Sequence, residues 1–344
     1  MPLLPALESL IQRTTLASRS LLPSLLGLCL LAGCGTGAGG SSPPTGAQVR
    51  ARRTRAASAT LVAARRPAAR LPAALQRTAS VLFDGRIIVM GGLDSQGASV
   101  STVTAVSPGS WSIRALAPLP GPAHDAAGAN ANGTLTLFGG GEAEGTDAVV
   151  RVLPGRPHLV QRLPRPLSDA GAAALGDAAY VAGGWDGSAP NTNIYREAPG
   201  RSPSVAGRLP IGVRYPAVAA LAGKLVVAGG QTASGKTVSA IESFDPRSGR
   251  TVRAGKLPFP VTDAAGAVLQ GRLYLIGGLR AGRPVSTILS WAPGESRARV
   301  AGHLPRPLSD AGAVTIPGAI AVVGGRAVGG PVDTVLLLRP ASAE

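Results

Sequence analysis

The sequence predicts an all-β chain folded as a ring of six four-stranded blades, a β-propeller, and two markers in one register carry that prediction. A Gly-Gly pair closes six apolar runs, starting at Gly91, Gly139, Gly183, Gly229, Gly277 and Gly324, at spacings of 48, 44, 46, 48 and 47 residues. A Leu-Pro pair recurs with the same five spacings, at Leu71, Leu119, Leu163, Leu209, Leu257 and Leu304. Four short strands fill about 46 residues, and a four-stranded sheet cannot bury both faces alone, so the units must stack and close.

The first element is not part of the ring. Residues 1–33 carry Arg13 and Arg19 and then the apolar run Leu21 to Ala32, long enough for a signal-peptide core and too short to span a bilayer. The run ends in Leu31-Ala32-Gly33-Cys34, which resembles the lipobox of bacterial lipoproteins and implies cleavage before Cys34 and lipid on its thiol. The mature chain then keeps no second cysteine, and no disulfide is expected. Residues 34–57 read as a tether, Gly/Ser/Pro-rich as far as Ala47 and then basic at Arg50, Arg52, Arg53 and Arg55. Seven arginines lie between Arg50 and Arg70 with no acid among them, in a chain of net charge +16. Such a run either adds attraction to anionic head groups or is simply a soluble linker in a chain that uses 31 Arg against 3 Lys. The expected location is the outer face of a bacterial membrane or the envelope. Nucleic acid is not an expected partner, since aromatic residues for base stacking are scarce.

Residues 58–344 are the propeller. Within each unit a strand of small residues leads to a tight turn at Asp84-Gly85, Asn132-Gly133, Gly176-Asp177, Ala222-Gly223, Gln270-Gly271 or Pro317-Gly318. The apolar strand to Gly-Gly follows, then a variable loop, a third strand such as Ser239 to Phe244, a second turn and a fourth strand. The sixth unit ends at its third strand, Val332 to Leu338. Thr60 to Arg70, running into Leu71-Pro72, is expected to supply the missing outer strand. Closure of this kind removes the open edge that invites pairing with other chains, so a monomer is expected.

The Gly-Gly pairs with their apolar strands, the turn Phe244-Asp245-Pro246-x-x-Gly249 and Trp111 ahead of Leu119-Pro120 together resemble kelch repeats, over about residues 58–340. The third-strand aromatic and fourth-strand Trp of that family are absent from most units, and Trp291 lies in a third strand instead, so Ala, Val and Leu must do most of the packing.

Candidate site residues fall on one face, where the loops from strand four to strand one and from strand two to strand three emerge. Fourteen residues before each Gly-Gly stand Arg77, Asp125, Asp169, Tyr215, Asp263 and Asp310. Two readings stand. The four aspartates ring the channel mouth and hold a hard cation such as Ca²⁺, or a cationic or hydroxyl-rich ligand. Alternatively, each carboxylate accepts backbone N–H bonds from the neighbouring blade and stitches the ring. Around them the loops after Gly-Gly offer Glu142, Trp185, Asp186, Asn191, Arg280 and Arg326. Trp185 with Asp186 and Asn191 can stack on and hydrogen-bond a sugar, or Trp185 can pack on its own blade.

Kelch propellers include enzymes. Copper-radical oxidases that look like galactose oxidase need a Cys cross-linked to Tyr and imidazole ligands, whereas here the one mature Cys carries lipid and His124, His158 and His303 are scattered. That chemistry is not expected here. No catalytic residues and no cofactor other than Ca²⁺ are expected. The reading is a non-enzymatic, membrane-anchored interaction propeller that binds a glycan, cell-wall fragment or protein. The alternative is a carbohydrate-active enzyme, an isomerase like the kelch-type sialic-acid mutarotases or a hydrolase, for which Arg77, the aspartates, Glu142 and Arg280 are the available groups.

Overall fold

In the computed structural model, residues 60–141 and 145–341 are described, and every regular element among them is a β-strand. The signal segment, the whole tether with Cys34, and Glu142 lie outside the described residues.

The strands form six blades. Blade 1 comprises Ala79–Phe83, Arg86–Met90, Val103–Ser107 and Ser112–Ala115. Blades 4 and 5 repeat this order from Ala217–Leu221 to Arg250–Lys256 and from Ala265–Leu269 to Arg299–His303. Blades 2 and 3 depart from expectation by sharing one long strand, His158–Leu175, which is the outer strand of one and the inner strand of the next. Its register breaks between Arg162 and Leu167, where the chain steps across. The turns between first and second strands are two-residue hairpins. Asp84, Asn132, Ala222 and Gln270 share positive φ with the glycine that follows each, the combination that matches the twist of the flanking strands.

Blade 6 is built from both ends of the described chain. Leu61, Val62 and Ala63 pair with Pro340, Arg339 and Leu338, and Ala69 and Arg70 pair with Val335 and Thr334. The N-terminal segment is therefore the outer strand of the last blade, as the sequence predicts. Six apolar clusters, one in each interface between neighbouring blades, make up the core. Most are built from Ala, Val, Leu and Ile, with Phe244 buried between blades 3 and 4 and Trp291 between blades 4 and 5. Trp291 donates its indole N–H to the Glu295 carbonyl and lies against the backbone at Gly255, where a side chain would strike the ring.

The Gly-Gly repeat marks the clasp between blades. The second glycine of each pair donates its N–H to the next blade: Gly92 to Ala123, Gly140 to Leu167, Gly184 to Val213, Gly230 to Val261, Gly278 to Leu308 and Gly325 to Leu75, all at 2.7–2.9 Å. The last of these crosses from blade 6 to blade 1, so the bonds form a closed ring of six. The first glycine must lack a side chain because that same carbonyl occupies the place of a Cβ, as Leu167 O does at Gly139. The sequence marker and the closing interaction are one thing.

Candidate functional site

The residues fourteen before each Gly-Gly form a second, tighter ring. Arg77, Asp125, Asp169, Tyr215, Asp263 and Asp310 all have φ between 51° and 59°. This left-handed backbone is costly for residues with a Cβ, and six in equivalent places imply a common compensation. It is a hydrogen-bond circle: each N–H donates to the carbonyl of the equivalent residue one blade back, from Asp125 to Arg77 (3.1 Å) round to Arg77 to Asp310 (2.8 Å). The stitching is thus backbone to backbone, and the side chains are left to line a mouth of about 120 Å³.

Those side chains do not share the six-fold symmetry. On the side of blades 1 to 4, Arg77 Nη1 lies 2.6 Å from Asp125, and its Nε lies 3.2 Å from Asp310. Arg214 pairs with Asp169 at 2.5 Å. Tyr215 stands between the two guanidiniums: its hydroxyl accepts from Arg77 (3.3 Å) and Arg214 (3.0 Å), and their Cζ atoms lie 5.1 and 5.0 Å from its ring centre. Arg214 lies also 4.9 Å from the Trp185 ring. The result is a stack in the order Arg77, Tyr215, Arg214, Trp185. Beside it, Ser99 Oγ is 2.7 Å from His124 Nδ1, and His124 Nε2 is 3.9 Å from Asp125. All of these groups but Trp185 and Asp310 border a pocket of about 300 Å³ that also takes in Ser168 and Gly141.

Four carboxyl groups face two guanidiniums, and the electrostatics follow. Burial of Asp125, together with the charges of Asp169 and Asp310, outweighs Arg77 and pushes its carboxyl up to about 7. Burial and the neighbouring Asp310 push Asp263 up to about 7 as well. Burial alone would weaken the charge on Arg77, but Asp125 and Asp310 hold it firmly protonated. Burial and the Asp169 charge raise the Tyr215 hydroxyl to about 12, so it stays neutral.

Arg77 pairs with Asp125 and Asp310, and Arg214 with Asp169, so three of the four aspartates face a guanidinium. Among the described residues no group of three or more His, Cys, Asp or Glu side chains is placed to hold a metal ion. Of the loop residues, Trp185 reaches the mouth through Arg214. Asp186 does not: its carboxylate accepts the N–H groups of Ser188 and Ala189 and the Ser188 hydroxyl within its own turn. Burial opposes the charge on Asp186, yet those bonds and Arg165 hold its carboxyl below the usual range. Asn191 is 3% exposed, and its amide is used by the backbone of Gly183 and Asn193. Arg280 lies over the Phe259 ring at 4.4 Å on a separate hairpin, and Arg326 is exposed; neither borders the mouth pockets.

His124 and Arg214, which sequence reasoning passed over, share a position. The residue just before each ring member is Gln76, His124, Ser168, Arg214, Thr262 or Ser309, polar in all six blades. The signal was present at the same period. In five blades this residue bridges to the residue after Gly-Gly, as Ser168 does to Trp185 and Arg214 to Gln231, which seats the variable loops on the ring.

The repeat itself finds a match in residues 213–250, which fit the Kelch motif. This is a kelch-type β-propeller. The kelch propeller is 30% identical over 181 residues to Kelch-like protein 35 of Mus musculus, a stretch that is 49% of this chain and 29% of that protein. The chain thus spans less than a third of that relative. In fold it resembles the solved structure of YjhT, with a TM-score of 0.69 at 16% identity, covering 78% of this chain and 96% of the other. At that identity the likeness concerns the fold alone. A kelch propeller is in general a scaffold for binding, with its variable groups on loops held by a rigid ring.

Proposed function

We propose that the chain is an exported, lipid-anchored recognition module, held by Cys34, whose kelch propeller binds a hydroxyl-rich glycan or cell-wall fragment at one side of the channel mouth. The reading is supported chiefly by the stack of Arg77, Tyr215, Arg214 and Trp185, whose first three members border a pocket of about 300 Å³. Sugars need donors and acceptors in alternation, and here guanidiniums, a phenol hydroxyl, Ser99, Ser168 and two carboxyl groups converge within one opening. A protein ligand would use the same face.

The test is an array of glycans and cell-wall fragments probed with the detergent-solubilised full chain and with its Arg214→Gln and Asp169→Asn variants. Each variant removes a charge-assisted contact, for which about tenfold weaker binding is expected. Undiminished binding by both would place the ligand elsewhere.

One observation favours a second reading, catalysis on a bound sugar. Asp125, pushed up to about 7, lies 3.9 Å from His124 and can give or take a proton near neutrality. Anomeric proton NMR of any bound sugar separates the two: accelerated exchange or new product that Asp125→Asn abolishes makes the protein an enzyme, and unchanged spectra leave it a binder.

A further inference from the structure

We infer that the seam where the chain's two ends meet carries a docking groove for an anionic phospholipid surface, distinct from the mouth. The inference rests on the membrane attachment proposed above and is independent of the mouth ligand. In blades 2 to 5 the outer strand carries one extra residue, Val160, Ala206, Ala254 or Ala301, at the same place. In blade 6 the corresponding bulge is longer. Ala64 donates its N–H to the Leu337 carbonyl and Ala68 donates to Val335, both at 2.8 Å, so Arg65, Arg66 and Pro67 stand out opposite Leu336 alone. Bulges of this kind re-aim side chains at working surfaces.

What the bulge overhangs is a groove of about 290 Å³ between blades 5 and 6. Its floor is apolar, with Leu304, Leu308, Val322 and Leu336, and Arg65 and Arg306 stand at its rim. Arg70, also at the rim, pairs with Asp333 at 2.7 Å, but Arg65 and Arg306 have no carboxylate partner among the described residues. The same wedge between blades 3 and 4 is about 240 Å³ and differs in charge, because Glu242 there accepts from Arg253 at 2.9 Å. Uncompensated guanidiniums over an apolar floor call for an anion with an apolar root. A phospholipid supplies both, phosphate at the rim and the ester end of an acyl chain on the leucines. An acidic peptide supplies only the first. The described chain begins at Thr60, just before the bulge, and the segment leading to it carries Arg50, Arg52, Arg53 and Arg55 without an acid. This edge is therefore where the basic segment joins the ring.

The experiment is amide hydrogen exchange on the full chain and on its Cys34→Ala variant, with vesicles of phosphatidylcholine alone or mixed with phosphatidylglycerol. Slower exchange at residues 64–70 and 304–308 on the mixed vesicles only, in both proteins, is the expected result. An arginine near an anionic surface adds about fivefold in affinity, so Arg65→Gln with Arg306→Gln should weaken the effect about 30-fold, while the Lys double variant keeps it. Equal exchange on the two vesicles overturns the inference, as does slowing spread evenly over the ring. The same slowing with inorganic phosphate and no vesicles assigns the groove to a free anion, and slowing with polyglutamate assigns it to an acidic protein; either also overturns it. If Cys34→Ala changes nothing about vesicle retention, the anchor fails separately while the groove stands or falls on its own data.

Discussion

The inner rings and the outer seam close the same gap in different ways. At the centre, the bonds that cross from blade 6 to blade 1, Gly325 to Leu75 and Arg77 to Asp310, are both 2.8 Å long and match the other five of their kind. At the rim, the closing strand differs from its counterparts: it is interrupted, longer by its bulge, and basic. Backbone clasps leave no room for variation, because the neighbour's carbonyl sits where a side chain would be. An outer strand paired on one edge tolerates insertion, and that is where new surface can arise.

The largest expected effect breaks the seam. Deleting residues 60–70 removes the outer strand of blade 6 and the buried Leu61, and should abolish cooperative melting by circular dichroism. A deletion protein that melts at the wild-type temperature would show that the inner rings alone suffice. Next is Trp291→Ala, which opens the interface of blades 4 and 5 away from both rings and seam and should cost about 3–5 kcal/mol in denaturant unfolding. The clasp itself is tested by a pair of glycines. Ala at Gly139 collides with Leu167 O in addition to its positive φ and should cost about 3 kcal/mol. Ala at Gly133, also at positive φ but with nothing near its Cβ, should cost about 1 kcal/mol. Equal costs would mean that the clasp carries no stability.

The smallest effect at any one pH belongs to the mouth. Asp125 and Asp263 are both raised to about 7, so the folded state favours their protonated forms. Their contribution to stability is complete below the unfolded carboxyl range near 4 and is lost as pH rises through about 7. Thermal melting should thus fall between pH 5 and 8 on their account, and Asp125→Asn with Asp263→Asn should flatten that slope. A slope unchanged by the pair would place the titration elsewhere.

The sequence made the ring legible because its closure leaves a mark at every repeat. Gly-Gly is required wherever a neighbour's carbonyl approaches, and the turn pairs are required wherever φ is positive in a two-residue hairpin. The mouth was legible in part. Arg77 and Tyr215, the two departures among the ring residues, are the first two members of the stack, whereas Asp186 in Asp186-Gly187-Ser188 looked like a sugar contact and is consumed by its own turn, a habit of aspartate before glycine. Arg214 and His124 escaped because nothing local says which side chains of four blades will meet across a channel.

By itself the sequence determined the blade count, the strand order and the sharing of the last blade between the ends, since period, turn chemistry and the incomplete sixth unit are local facts that a ring must satisfy. Only the tertiary structure decided that the inner ring is held by backbone and not by carboxylates. It alone decided which acids meet a guanidinium and where a bulge leaves an arginine without a carboxylate partner among the described residues. Those outcomes depend on distances between residues far apart in the chain, and the left-handed turn at each ring position both makes the hydrogen-bond circle and delivers the side chains into one mouth.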